Sequence, residues 1–242
     1  MLKYATMTNI GSRDVNEDAI GVFEKEGSFC FVVCDGLGGH GMGDAASQNV
    51  RDVFEEVFNK TDNLRDFLTH AFDAGQEKLL SEQSKLHVVQ RMKTTAVALV
   101  SDNKKAYIGH VGDSRLYIFG RDKIITRTMD HSVPQTLALT GQIKEEEIRN
   151  HPDRNILLKV MGIKSEKPMY ELMPSVKLSK CRAFLLCTDG FWEFIEDRDM
   201  CETLKRSESP KQWLEEMEQL VRANGMGKKM DNYSAIAVWN EK

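Results

Sequence analysis

Residues Thr94–Thr128 read TTAVALVSDNKKAYIGHVGDSRLYIFGRDKIITRT. Apolar and β-branched residues fill Thr95–Val100, Ala106–Val111, Arg115–Phe119 and Lys123–Thr128. Polar turns at Asp102–Lys104 and Gly112–Ser114 separate the first three. Connections this short cannot join parallel strands, so the stretch predicts an antiparallel meander.

On its N-terminal side, Leu2–Thr8, Ala19–Glu24 and Phe29–Cys34 read as short strands, the last apolar enough to be buried on both faces. Val50, Val53, Phe54, Val57 and Phe58 then repeat at helical spacing, predicting an amphipathic helix from about Asp44. Leu64, Phe67, Leu68, Ala71, Phe72 and Leu79 predict a second helix directly after it. On the C-terminal side, residues 130–167 are irregular and charge-rich, an excursion from the core. Met169–Val176, Arg182–Thr188 and Tyr233–Trp239 return to strand. Ser209, Pro210 and Gln212 open a helix with a capping box, and its buried stripe is Trp213, Leu214, Met217, Leu220 and Val221. Strand runs interrupted by helix pairs make the fold class α+β, and the absence of a linker or repeat makes residues 1–242 one domain.

Composition excludes several classes of function. Against 33 Lys and Arg stand 37 Asp and Glu, a net charge of -4 with no basic run, so no nucleic-acid partner is expected. Hydrophobic residues at 41% suit a folded globular chain, yet no apolar run approaches the roughly 20 residues of a membrane span. With no signal-peptide pattern, a cytoplasmic location is expected. The five cysteines are odd in number and sit mostly in apolar runs, which suits buried thiols rather than a disulfide framework.

Glycines concentrate at Gly36, Gly38, Gly39, Gly41 and Gly43. Gly36–Gly41 satisfies G-x-G-x-x-G, the dinucleotide fingerprint, but a helix rather than a strand is predicted after the next helix. Asp35 at the mouth of the loop would also repel a pyrophosphate. Asp35 instead groups with Asp189, Asp231 and Asp113, all at strand ends or tight turns. Each alone suits a turn. Together, if the strand ends converge, they need protons or cations, and an all-oxygen set favours Mg²⁺ or Mn²⁺ over Zn²⁺. The six histidines form no ligand set, although His40 lies in the Gly-rich loop. Arg13, between the first two strands, offers a planar fork for a phosphate.

In this order the motifs resemble the metal-dependent type 2C (PPM) protein serine/threonine phosphatases in their compact bacterial form. They are Arg13 with Asn16-Glu17-Asp18-Ala19, Val33 to His40, Ala45-Ala46-Ser47 and Thr94-Thr95. After these come Val111-Gly112-Asp113-Ser114-Arg115, Asp130-His131-Ser132, His151-Pro152, Arg154-Asn155, Cys187-Thr188-Asp189-Gly190 and Asp231-Asn232. The resemblance covers essentially the whole chain. It implies a central sandwich of two antiparallel sheets flanked by helix pairs, with a binuclear site at one end. Two divalent cations, Mn²⁺ or Mg²⁺, would activate a water to hydrolyse phosphoserine and phosphothreonine on proteins, opposing a bacterial serine/threonine kinase.

By the same resemblance Asp35 bridges both metals and the Gly36 carbonyl binds the first. Asp189 and Asp231 bind the second, Glu17 and Asp18 hold waters of the metals, and Arg13 grips the substrate phosphate. Asp113 with Asp189 matches the weaker third-metal site of some members, and residues 130–167 match the flap beside the active site. A monomer without a membrane association is expected. Three positions depart from the pattern. Leu37 stands where many eukaryotic members have a histidine, leaving His40 or a metal-bound water to protonate the leaving group. Lys93 replaces a glycine, and Glu193 replaces an aspartate used for the third metal. The competing readings are a silent phosphoprotein-binding relative and a dinucleotide-binding protein.

Overall fold

The computed structural model describes residues 2–38 and 41–241, and its strands form two five-stranded antiparallel sheets. One sheet runs β1 (Leu2–Asn9), β10 (Tyr233–Asn240), β9 (Ala183–Cys187), β6 (Arg115–Phe119), β7 (Ile124–Arg127). The other runs β2 (Asp18–Lys25), β3 (Ser28–Asp35), β4 (Ala96–Ser101), β5 (Lys105–Val111), β8 (Glu171–Lys177). Helices α1 (Gly43–Lys60) and α2 (Leu64–Lys85) cover the second sheet. Helices α4 (Asp189–Trp192), α5 (Asp197–Arg206) and α6 (Pro210–Gly225) cover the first. The short α3 (Val133–Leu139) lies in the irregular segment. This is the expected α+β sandwich.

Three apolar layers follow from the two-residue period of the strands. In β3, Phe31 and Val33 face the other sheet and meet Leu116, Ile118, Leu186 and Ile236. Cys30, Val32 and Cys34 face outward against Val50, Phe54 and Phe72 of the helices. Both faces are buried, which is why the strand reads as an unbroken apolar run. On the far side Trp213, Met217 and Val221 of α6 pack on Leu185 and Ala235. Each fully buried side chain of this size contributes roughly 2 to 3 kcal/mol.

The meander is not continuous. β4 pairs with β5 and β6 pairs with β7, but β6 lies beside β9 in the other sheet. The chain crosses between sheets at Gly112, whose φ of +95° and close approach to Thr95 (2.5 Å from where a Cβ would stand) exclude a side chain. At α6 the Ser209 hydroxyl accepts from the Gln212 N–H at 3.1 Å, whereas the Gln212 side chain reaches back to Glu208 rather than to Ser209. Helix α5, which the sequence reading did not place, buries a short stripe of Met200, Thr203 and Leu204.

Candidate active site

Strand ends from both sheets meet at one end of the sandwich. Asp18 opens β2 directly opposite Asp35, which closes β3. Asp189 follows β9, Asp231 precedes β10, and Asp113 sits in the turn from β5 to β6. A cavity of about 490 Å³ there is lined by Arg13, Glu17, Asp35, Gly36, Asp113, Asp189 and Asp231, with Leu37, Gly38, Asn155 and Leu157 completing the wall. Asp18 is buried beside the cavity. His40, read from sequence as an alternative proton donor, lies outside the described residues.

Backbone and hydroxyl contacts hold each acid in place. Asn232 accepts the Glu17 N–H at 2.8 Å and donates to the carbonyls of Ile10 and Val15, tying the Arg13 loop to the start of β10. The Glu17 carbonyl accepts from Gly36 N–H at 3.1 Å and from the Ser47 hydroxyl at 2.6 Å. A Cβ on Gly38 would stand 1.5 Å from Glu17 Oε2, so a larger residue there would require the Glu17 carboxylate to move. Thr95 brackets Asp35: its hydroxyl accepts from Asp35 N–H at 3.1 Å and its N–H donates to the Asp35 carbonyl at 2.9 Å. The Thr188 hydroxyl donates to Asp18 Oδ2 at 3.0 Å.

So many acids in one place perturb one another. Burial pushes the pKa of Asp35 well above the usual carboxylate range, and Asp189, Asp18, Asp113 and Asp231 push it further. Burial raises Asp113 in the same way, then Asp189 and Asp130, against Arg115. Asp18 is pushed up to about 7, first by burial, against its hydroxyl hydrogen bonds. Asp189 is raised by burial and Asp231 and held back by Arg154, while Glu17 is raised by burial and by Asp44. Two arginines touch the group at its rim: Arg13 Nη2 lies 2.5 Å from Asp231 Oδ2, and Arg154 lies 3.8 Å from Asp189 and 2.7 Å from Glu193.

The donor set fits divalent cations. It is all oxygen, it has more negative charge than its arginines balance, and Asp18 Oδ1 is buried with no hydrogen-bond partner. A phosphate ester would be repelled from this cavity unless cations neutralised it.

Other contributions were not foreseen as roles. Arg154 reaches Asp189 from the irregular segment, and Asn155 and Leu157 follow it into the wall. The Arg154-Asn155 pair was legible as a motif, but its ion-pair partners lie far along the chain. Lys93, a departure by sequence, acts here through its carbonyl, which accepts from Leu37 N–H at 2.9 Å. Glu193 is the tighter partner of Arg154.

Residues 7–233 match the family model of protein phosphatase 2C. The chain is similar to the serine/threonine phosphatase stp of Listeria innocua, 32% identical over 202 residues, covering 80% of this chain and 79% of that protein. It superposes on the serine/threonine phosphatase Stp1 of Staphylococcus aureus with a TM-score of 0.91 at 30% identity, covering 100% of this chain and 96% of the other. The catalytic domain of PstP, solved in complex with two manganese ions, shares the fold with a TM-score of 0.80 at 24% identity, over 98% and 97% of the two chains.

Proposed function

The chain belongs to the protein phosphatase 2C family, and we propose that its acidic cavity is where phosphoserine and phosphothreonine esters of proteins are hydrolysed. The protein is a serine/threonine phosphatase that depends on divalent metal. The observation that carries the siting is the convergence of Asp18, Asp35, Asp113, Asp189 and Asp231 on one cavity end without matching internal cations. Neither a silent phosphoprotein-binding relative nor a dinucleotide-binding protein is favoured. The Gly-rich loop leads through α1 into a second helix, not into a strand with a ribose-binding acid.

In this reading Asp35, the Gly36 carbonyl, Asp189 and Asp231 would hold two divalent cations, Mn²⁺ or Mg²⁺, and Glu17 and Asp18 would order the surrounding water. Asp113 with Asp189 would hold a weaker third ion. When bound, the cations polarise the phosphoryl oxygens and lower the pKa of water. The chain's own residues do the rest. Arg13, exposed at the rim, spends one nitrogen on Asp231 and keeps the remainder of its fork for the equatorial oxygens of the phosphoryl group. Thr95 and Asn232 fix the main chain of Asp35 and Glu17, so the carboxylates need not reorganise as charge moves. The departing alkoxide takes its proton from His40 or from water.

The segment 130–167, a flap within a single catalytic domain, contributes Asn155 and Leu157 to the wall and is suited to select substrates. Among the described residues no helix is long and apolar enough to cross a membrane. A monomer working in the cytoplasm against a serine/threonine kinase is the setting we propose. Phosphate release from pSer, pThr and pTyr peptides, with Mn²⁺ or with chelator, tests the reading. Turnover of pSer and pThr that chelator abolishes is expected, and strict pTyr preference or chelator-resistant turnover overturns it.

A further inference from the structure

Away from the cavity floor, His110, His131 and Glu171 bring ligand-type atoms within 4.8 Å of one another. His110 on β5 pairs in register with Glu171 on β8, and the His131 ring stacks on His110 at 4.7 Å and 15°. His110 Nδ1 and His131 Nε2 are buried without a hydrogen-bond partner. The group resembles a two-histidine, one-carboxylate metal site, but one hydrogen bond excludes that. A neutral imidazole that ligates through Nε2 carries its proton on Nδ1 and donates it. His131 Nδ1 instead accepts the Gly112 N–H at 3.2 Å, so the proton lies on Nε2, facing Glu171 Oε2 at 3.6 Å. The nearly parallel rings also keep their in-plane lone pairs from converging on one ion.

That same bond shows what the imidazole does. The His131 main chain donates to the Gly112 carbonyl at 2.9 Å while its side chain accepts from the Gly112 N–H, so one residue grips both polar groups of Gly112. Asp113 comes next and points to the cavity. The other two residues of this turn are gripped too: Trp192 Nε1 donates to the Asp113 carbonyl at 2.9 Å, and the Ser114 hydroxyl meets the Thr95 hydroxyl at 2.7 Å. Trp192 ends the helix that begins at Asp189, and Thr95 brackets Asp35. His131 adds the irregular segment, because its carbonyl accepts from Leu158 N–H at 2.7 Å, one residue beyond Leu157 in the cavity wall.

We propose that His131 is a positioning residue for Asp113, holding the Gly112–Ser114 turn through its Nδ1 acceptor and linking that turn to the 157–158 wall. This rests on the siting of the reaction in the acidic cavity. Burial and Lys159 lower the pKa of His131, which keeps the ring neutral and Nδ1 able to accept.

Two substitutions separate this role from simple packing, because each keeps what the other removes. His131→Phe keeps a ring to stack on His110 and loses the acceptor. His131→Asn loses the ring and keeps an acceptor oxygen at a similar reach. In the full chain, Gly112 amide exchange by NMR and kcat and KM with p-nitrophenyl phosphate at saturating Mn²⁺ are read for both, with thermal unfolding as a check on folding. The expectation is that His131→Phe exchanges Gly112 at least about tenfold faster and loses about 10- to 100-fold in kcat with KM little changed. His131→Asn stays within about threefold of the natural protein in both. A normal Phe variant, or an Asn variant impaired as much as Phe, overturns the proposal. Gly112 exchange needs no turnover, so a failure of the phosphatase reading would leave this pattern intact and be recognised separately.

Discussion

Asp113 and Asp130 are both buried aspartates on the same stretch of chain, and the structure treats them in opposite ways. Asp130 is gripped by Arg115 through two bonds of 2.8 and 2.7 Å, with Arg127 at 3.4 Å. Arg115 in turn donates to the Tyr117 hydroxyl at 3.0 Å and lies 3.5 Å over the Trp192 ring. Asp113 has no ion-pair partner among the described residues, and it shares its end of the sandwich with Asp18, Asp35 and Asp189. Where the chain supplies the cation, a buried acid is finished when the protein folds. Where it does not, the acid remains a demand on the surroundings, met by protons or by bound cations.

The largest test of this contrast substitutes one member of each group. Asp35→Asn should reduce Mn²⁺-dependent phosphopeptide hydrolysis roughly a thousandfold or more, because it removes the central carboxylate of the proposed metal site. In chelator the same variant should unfold at a higher temperature than the natural protein, since one of several repelling carboxyls has gone. Arg115→Met should do the reverse, costing about 3 kcal/mol with or without metal by leaving the buried Asp130 with only the looser Arg127, at 3.4 Å, as its cation. The contrast fails if Asp35→Asn destabilises the metal-free protein or if Arg115→Met is tolerated.

Much of the uncompensated group was legible in the sequence, because each of its acids stands at a strand end and strand ends follow from the apolar pattern. Asp35 after Phe29–Cys34 and Asp189 after Arg182–Thr188 needed only the short apolar runs that mark buried strands to place them. The compensated group was not legible in the same way. Arg115 and Asp130 belong to separate motifs, and nothing local says that a turn and a hairpin bring them together. The meander failed for a related reason. Short connections fix antiparallel direction but not sheet membership, and the crossing at Gly112 depends on its left-handed backbone and its contact with Thr95. Helix α5 escaped because its buried stripe is only three residues long, Met200, Thr203 and Leu204, and one of them is polar.

Acidity should separate the two groups next. Asp18, Asp35, Asp113 and Asp189 have folded-state pKa values raised first by burial, whereas in the unfolded chain they ionise near the ordinary value of about 4. Between those limits the folded protein holds more protons than the unfolded chain. Their contribution is therefore fully present below about pH 4 and is lost as pH rises through the folded values, about 7 for Asp18. Metal-free protein in chelator should lose stability from pH 5 to 7 at about 1.4 kcal/mol per unit for each carboxyl still titrating. Saturating Mn²⁺ should flatten or reverse that slope, because the cations bind the deprotonated forms. Urea unfolding across this range measures both slopes. Metal-free stability that rises with pH would show that the acids are compensated from within after all.

Arg154 offers the smallest and most discriminating test, since it stands between the two cases. It is a cation supplied by the chain, 2.7 Å from Glu193 and 3.8 Å from Asp189, yet it is partly exposed at the cavity edge and holds Asp189 only loosely. If it is a partial substitute for bound cations, its worth depends on whether they are present. Arg154→Met should then cost about 1 kcal/mol or less in chelator, the range of a partly solvated pair. It should also steepen the metal-free pH slope, because the charge that holds back the pKa of Asp189 is gone. In saturating Mn²⁺ the loss should shrink to less than half, because the ions then supply the charge near Asp189. A loss of equal size under both conditions would place Arg154 with Arg115, as a cation whose work is complete once the chain has folded.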